Sequence, residues 1–298
     1  MKYQSGGAFR RALEDRLRAQ SLASGVALVR LRKMIAFDRL LARLILAQPD
    51  AWVLKGGLAL QLRLGKRART TKDVDVLLQR PYPDIHQLLV RAASLDVGDW
   101  FQFEITRSTD SVRGNFGGLR FHTQSLLDGR SFERFHVDVG VGDPVVESVE
   151  YLTMPALLKF ADIRSTVIPC YPLTQQLAEK VHAYTRPHLS GESSRAKDLV
   201  DILLMAELGS INGQLLFQAL QMTFNARKTH SLPQELPFPP AAWSAPFRKM
   251  ASGVGLGYAT LAEAGAAAQH FLNPILQGEV MGAWDPAAWS WACITPAA

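Results

Sequence analysis

Apolar and polar residues alternate most clearly in two segments of the first half of the chain. Valines alternate with Asp73 and Asp75 in residues 73–78, and apolar residues alternate with polar ones, including Asp138, in residues 132–141. Because successive residues of a strand point to opposite faces, both segments are predicted to be strands with one apolar and one polar face. The two aspartates of the first segment are therefore expected to project side by side.

Apolar residues at helical spacing predict helices elsewhere in the chain. In the N-terminal half these helices are expected at residues 8–20, 26–47, 58–64 and 84–94. After about residue 150 helices predominate, and they are expected at residues 154–160, 175–184, 195–207, 213–225 and 262–272. Residues 164–172 are predicted to be an irregular or extended link.

Short apolar segments complete the first half. Residues 52–54 are predicted to be a strand that Gly56-Gly57 turns into the short helix. Residues 100–106 and 118–125 are predicted to be extended. Asp128-Gly129 is a favourable hairpin turn, so the later strands are expected to form an antiparallel meander.

These elements predict an α+β protein of two lobes, with a mixed sheet and N-terminal helices in residues 1–148 and mainly helices in residues 149–298. Of the 298 residues, 48% are hydrophobic and 20% charged, which is enough for a sizeable core in each lobe. No apolar run approaches the roughly 20 residues that span a bilayer, so no membrane partner is expected. Two cysteines, Cys170 and Cys293, predict neither a disulfide framework nor a zinc site, and a cytoplasmic location is the simplest expectation.

Positive charge is concentrated in the N-terminal part of the chain. The net charge is +6, and residues 1–70 contain fifteen basic residues against four acidic ones. This asymmetry fits either a polyanionic partner, such as nucleic acid or a nucleotide, or the solvated face of N-terminal helices. No basic cluster there is dense or interleaved with aromatic residues, so the sequence leaves both interpretations open.

The aspartate pair and the glycine turn indicate phosphate chemistry when they are taken together. Most Gly-Gly pairs are plain turns, but a strand followed by two glycines and a helix leaves backbone N–H groups that can hold phosphate. Most Asp-x-Asp triplets face solvent, but Asp73 and Asp75 lie in a segment apolar enough for an interior strand. Adjacent carboxylates there repel each other unless a cation or a shared proton lies between them.

Asp138 is the third candidate carboxylate. It is either a lone outward aspartate or, with Asp73 and Asp75, part of an oxygen site of the kind that Mg²⁺ prefers. In the helical half, Lys180 and Asp198 lie on consecutive predicted helices. They form either a salt bridge between these helices or a nucleotide contact in which the carboxylate positions the lysine, and both can hold together.

Four motifs resemble those of the AbiEii family, the nucleotidyltransferase toxins of bacterial type IV toxin–antitoxin and abortive-infection systems. They are Leu54-Lys55-Gly56-Gly57-Leu58-Ala59-Leu60, Arg69-x-Thr71-x-Asp73-x-Asp75, Glu179-Lys180-Val181-His182-Ala183 and Arg195-x-Lys197-Asp198-x-x-Asp201. The first motif matches nucleotidyltransferases broadly, and the last two in that order are much more specific. The resemblance spans nearly the whole chain.

The resemblance implies a DNA-polymerase-β-like transferase lobe followed by a helical lobe. It also implies that Asp73 and Asp75 bind Mg²⁺, joined by Asp138, that Lys180 contacts the nucleotide and that Asp198 is essential. The family's substrate is an NTP, several members add nucleotides to the 3′ end of tRNA and block translation, and a cognate antitoxin is the implied partner. Many transferases have Gly-Ser where this chain has two glycines, so a nearby threonine is the candidate for the missing hydroxyl.

The main hypothesis is a Mg²⁺-dependent transferase that moves a nucleotide from NTP to RNA. Its triphosphate would be held by Gly56, Gly57, Arg69, Thr71 and Lys180. Two alternatives remain open, namely the same chemistry on a protein hydroxyl, and a non-catalytic protein that binds NTP or RNA.

Overall fold

The structure, a computed structural model, describes residues 2–108, 118–187, 195–279 and 282–292. The chain divides into two compact units whose segments interleave along the sequence. The first comprises Met1–Leu62, Thr70–Gly142 and Glu150–Cys170, and the second comprises Arg63–Arg69, Asp143–Val149 and Tyr171–Ala298. The predicted domain boundary after residue 148 stays a prediction, because a compact group of contacts does not by itself show that a segment folds alone.

The first unit is built on one mixed sheet. Its elements are α1 (Gly6–Ser24), α2 (Leu28–Ala47), β1 (Trp52–Lys55), the start of α3 (Gly56–Leu64), β2 (Asp73–Leu78), α4 (Ile85–Ala93), β3 (Phe101–Arg107), β4 (Leu119–Leu127), β5 (Arg130–Val141), β6 (Glu150–Thr153) and β7 (Val167–Cys170). The seven strands lie in the order β3-β4-β5-β2-β1-β7-β6. Strand β2 runs parallel to β5 and antiparallel to β1, and β3, β4 and β5 form an antiparallel meander. The predicted mixed sheet and meander are confirmed.

Burial of alternate residues fixes which face of β2 carries the aspartates. Val74 and Val76 are fully buried in the main apolar cluster, together with Val137 and Val139 of β5. Helices α2 and α4 pack on each other, α2 also packs on β5, and α4 packs on β3. Because side chains alternate along a strand, this packing directs Asp73 and Asp75 to the opposite face.

Two short segments differ from the sequence prediction. The helix expected at residues 154–160 is reduced to one 3₁₀ turn at Lys159–Ala161. Within the predicted link at residues 164–172, Val167–Cys170 forms β7, which pairs with β6 and lies parallel to β1. A four-residue strand is too short to show a period, so only its pairing partners define it.

Much of the N-terminal basic surplus is used to hold the first unit together. Arg43 on α2 donates to both carboxylate oxygens of Asp99, at 2.9 and 2.7 Å, and both side chains are buried. Arg39, one helical turn earlier, lies 3.5 Å from the same carboxylate. On α1, Arg10 donates to the carbonyls of Leu127 and Arg130 near the hairpin between β4 and β5. These guanidinium groups are therefore structural.

The buried pair between Arg43 and Asp99 gives a first prediction. Replacing Asp99 with alanine leaves the buried guanidinium group of Arg43 without its carboxylate, whereas Arg39 keeps Asp38 at 2.7 Å. The loss is expected to cost about 3–5 kcal/mol in the free energy of unfolding. The matched control, Asp15→Ala, removes an aspartate that is 75% exposed and should change that free energy by less than about 1 kcal/mol. Urea unfolding measures both, and equal midpoints for the two variants would contradict the prediction.

The second unit is mainly helical, and it also contains residues 63–69 and 143–149. Its elements are α5 (Leu173–Thr185), α6 (Ala196–Ala206), α7 (Gly213–Arg227), α8 (Ser244–Val254), α9 (Leu261–Leu276), β8 (Trp284–Asp285) and β9 (Ser290–Trp291). Helix α5 packs against α6 and α7, and α6 packs against α8 and α9. None of the helices in the described part of the chain combines the length and the apolar character needed to cross a membrane. Cys170 is buried, and Cys293 lies outside the described residues.

His182 on α5 is a buried histidine held in the neutral form. Its ring lies edge-on to Phe224 at 4.9 Å between centroids, and its Nε2 atom is 2.7 Å from the Thr229 hydroxyl. Burial and, to a smaller extent, the charge of Arg227 lower the pKa of His182 to about 3. In this environment His182 has a structural role.

The second prediction follows from that depressed pKa. In the unfolded chain the histidine takes up a proton below about pH 6.5, whereas in the folded chain it stays neutral to about pH 3, so acidification favours unfolding. Between pH 6.5 and pH 5 the loss from this residue is expected to be roughly 2 kcal/mol. His182→Gln should flatten the dependence of unfolding free energy on pH, and the control His270→Gln, at an exposed position, should not. An unchanged slope in His182→Gln would contradict the assignment.

Candidate active site

The glycine turn packs directly against the aspartate strand. Strand β1 ends at Lys55 and α3 begins at Gly56, which has a φ of +65°. A Cβ atom placed on Gly56 would overlap the Asp75 carboxylate, and one placed on Gly57 would lie 2.8 Å from the Thr71 hydroxyl oxygen. Only glycine therefore fits both the backbone angle and the close approach at residue 56. Sequence analysis proposed a threonine for the missing hydroxyl, and Thr71 lies beside this turn.

The strand register aligns a row of four charged residues across four adjacent strands. Lys55 on β1 is opposite Asp75 on β2, Asp75 is opposite Asp138 on β5, and Asp138 is opposite Arg120 on β4. Residues opposite one another project to the same face of a sheet. The row therefore reads basic, acidic, acidic, basic, on the face away from α2.

A second row lies beside the first. Asp73 is opposite His136, and His136 is opposite His122. The Nδ1 atom of His136 is 3.0 Å from Asp73 Oδ1, and the two imidazole rings meet edge to face at 4.9 Å between centroids. Asp73 thus has a hydrogen-bonding partner that fixes the direction of its carboxylate.

The three predicted metal ligands share one sheet face, and Asp138 has an arginine partner there. Arg120 donates from Nε to one oxygen of Asp138 at 2.8 Å and from Nη2 to the other at 2.6 Å. Among the residues that the structure describes, no group of three or more His, Cys, Asp or Glu side chains is arranged to hold a metal ion. Asp73 and Asp75 have the carboxylate oxygens that suit Mg²⁺, and the Asp75 carboxylate lies beside the backbone of Gly56.

A charged network lies in the second unit. Lys180 on α5 contacts Asp198 at 3.1 Å and Asp201 at 2.8 Å, and both aspartates belong to α6 and are buried. Arg69 donates to both oxygens of Asp201, at 2.9 and 2.6 Å. Arg195 contacts Asp198 at 3.2 Å. The salt bridge predicted between the two helices is confirmed, and Arg69 is committed to the same network.

These contacts favour the charged forms of Lys180 and Asp201. Burial lowers the pKa of Lys180, but the charges of Asp201 and Asp198 outweigh it, so the pKa is raised. Burial raises the pKa of Asp201, and the charge of Lys180 and the hydrogen bond from Arg69 outweigh it, so that pKa is lowered. Lys180 therefore stays protonated near neutral pH and serves as a fixed cation, not as a base.

The predicted site residues thus fall into two groups. Within the first unit the structure brings together the glycine turn, Thr71 and the three aspartates, and within the second it brings together Arg69, Lys180 and Asp198. Sequence reasoning missed Arg120 and His136 as partners of the aspartates. Each lies on the polar side of an alternating strand, but their positions opposite an aspartate depend on strand register, which the alternation does not reveal.

The chain is similar to several solved structures. MenT4, a nucleotidyltransferase toxin from Mycobacterium tuberculosis H37Rv, matches 93% of this chain and 99% of its own, with 18% identity and a TM-score of 0.52. JHP933 from Helicobacter pylori matches 78% of this chain and 90% of its own, with 15% identity and a TM-score of 0.40. A comparison with curated protein sequences gives no match. The likeness to MenT4 shows the nucleotidyltransferase fold.

A family model gives the decisive sequence match. The model describes the nucleotidyl transferase AbiEii toxin of type IV toxin–antitoxin systems, and it matches residues 39–271. This range covers more than half of the chain and contains the glycine turn, the aspartate strand and both helices of the lysine network. The chain belongs to the AbiEii family of nucleotidyltransferase toxins.

Proposed function

We propose that this protein is a Mg²⁺-dependent toxin that transfers nucleotides from an NTP to the 3′ end of tRNA and thereby blocks translation. The observation that carries the proposal is the contact between the glycine turn and Asp75, where a side chain at Gly56 would overlap the carboxylate. A close approach of this kind brings the backbone at a helix start next to one carboxylate of the aspartate pair. Phosphate and a divalent cation are the ligands that such a combination suits.

Asp73, Asp75 and Asp138 are the proposed holders of Mg²⁺. When bound, the ion would neutralise the negative charge that develops on the phosphates during transfer. The chain's own residues would place the substrates. The backbone N–H groups of Gly56 and Gly57 are proposed to hold phosphate oxygens, and the Thr71 hydroxyl beside Gly57 is proposed as a further donor.

Lys180 and Arg69 are proposed to contact the nucleotide phosphates, with Asp198 positioning Lys180. Both side chains are joined to Asp201 in one network, and Lys180 also contacts Asp198. Guanidinium and ammonium groups are donors to phosphate oxygens, which supports this proposal. The transfer itself forms a bond between the acceptor hydroxyl oxygen and the α-phosphorus, breaks the bond to the β-phosphate and releases pyrophosphate and a proton.

The proposed acceptor is RNA, and the proposed setting is the cytoplasm with a cognate antitoxin as partner. Membership of a toxin family supports the antitoxin and the NTP. The excess of basic residues in the N-terminal part of the chain supports an RNA acceptor less strongly than the sequence indicated. Arg10, Arg39 and Arg43 already have partners inside the first unit. The acceptor is therefore best decided by a direct transfer experiment.

The third prediction is that the purified protein transfers label from α-labelled NTPs to tRNA in the presence of Mg²⁺. Asp75→Asn should lower the rate by at least about a hundredfold, since it removes a charge from the proposed metal site. The control Asp15→Asn, at an exposed helix position, should transfer at the wild-type rate. Label on protein instead of RNA would select the protein-hydroxyl alternative. No transfer by wild type, or full transfer by Asp75→Asn, would overturn the proposal.

The fourth prediction separates structural and functional roles of Lys180. Lys180→Gln leaves two buried aspartates short of a cation and should lower the free energy of unfolding by about 3 kcal/mol. If Lys180 also contacts phosphate, transfer per folded molecule should fall by about a hundredfold at a temperature well below the unfolding midpoint. Lys249→Gln, at an exposed position on α8, is the control. A destabilised variant with wild-type transfer per folded molecule would show that Lys180 is structural alone.

A further inference from the structure

Arg120 forms hydrogen bonds with Asp138, one of the three proposed metal ligands. Both oxygens of Asp138 accept a hydrogen bond from its guanidinium group, at 2.8 and 2.6 Å. A two-point pair of this kind is among the strongest that a carboxylate forms with a side chain. Asp138 is therefore already neutralised by a cation that belongs to the protein.

Arg120 brings a fixed positive charge to the acidic face, because a guanidinium group does not lose its proton in proteins. It lies opposite Asp138, on the sheet face that also carries Asp73 and Asp75. A divalent ion at the same carboxylates would meet a fixed positive charge next to one of its ligands, and like charges at close range repel.

The position of Arg120 also allows its side chain to move away from Asp138. Its side chain is 31% exposed, whereas the Asp138 side chain is 10% exposed. Arg120 is the second residue of β4, and its guanidinium group is carried on a long, rotatable stem. Release of the arginine would therefore need no change in the sheet, while Asp138 would remain in place opposite Asp75.

We propose that Arg120 is a resident counter-ion for Asp138. A divalent cation must displace this arginine before the three aspartates can bind the cation together. This inference rests on the proposed function, because it takes Asp73, Asp75 and Asp138 as the metal ligands. Arg120 is a positioning residue in this scheme, since it acts through Asp138. The competition lowers the metal affinity of the free protein and keeps the acidic face stable without metal.

The fifth prediction concerns Mn²⁺ as a probe for the divalent site, with free Mn²⁺ measured by electron paramagnetic resonance during titration of the full chain. Arg120→Gln is expected to bind Mn²⁺ about tenfold more tightly than wild type, which is the scale on which partners of metal ligands tune affinity. Asp138→Asn should bind more weakly than wild type. Asp75→Asn should abolish the binding.

Two further variants separate displacement from a general effect of charge. Arg134→Gln removes the same charge from β5, four residues from Asp138 along the strand and therefore on the same face, and its side chain hydrogen-bonds Gln124 instead. It should change Mn²⁺ affinity by less than about twofold. In an Asp138→Asn background, Arg120→Gln should also have little effect, because the carboxylate that it releases is absent.

The outcomes distinguish the inference from the function on which it rests. Wild-type binding that depends on Asp75, together with no tightening in Arg120→Gln, would overturn the counter-ion role and leave the proposed metal site standing. Equal tightening in the presence and absence of the Asp138 carboxylate would also overturn it. Wild-type binding that is indifferent to Asp75→Asn would overturn the metal site itself. If Arg120→Gln does not fold, Arg120→Lys, which loses the two-point grip, should still tighten binding by about threefold.

Discussion

The structure of the candidate site depends on the burial of alternate residues of β2. Val74 and Val76 lie in the apolar cluster of the first unit. Because side chains alternate along a strand, this packing places Asp73 and Asp75 on the other face. A register slip of one residue would bury both carboxylates and expose both valines, which would cost several kcal/mol in desolvation and lost apolar burial. The hydrophobic effect therefore positions the charged groups, although it acts only on their neighbours.

Charged side chains have different kinds of partner in the two units. In the first unit, arginines with a structural role lie in the core, and the acidic face is balanced by Arg120 and accompanied by His136. In the second unit, Lys180 lies between two buried aspartates, and Arg69 donates to one of them. The first unit therefore exposes carboxylates on a sheet face, whereas the second holds its cations and carboxylates together in a buried network.

Net charge along the sequence does not show which basic residues remain available to a partner. Fifteen basic residues precede position 71, and the sequence cannot tell which of them will meet a carboxylate from a distant segment. Asp99 is 56 residues away from Arg43 along the chain, and the two meet only because α2 packs beside the segment that enters β3. Basic residues that satisfy buried carboxylates and carbonyls are not available to attract nucleic acid.

The sequence by itself determined most of the local elements, the polar face of each alternating strand and the motifs that define the family. These follow from residue periodicity, turn chemistry and spacing, which are local properties. Tertiary structure alone decided the pairing of β2 with β5, the addition of β7 to the sheet and the placement of Arg120 on Asp138 and of Arg69 on Asp201. Strand register and long-range ion pairs depend on the simultaneous packing of segments that are far apart in the chain, and no local pattern encodes that packing.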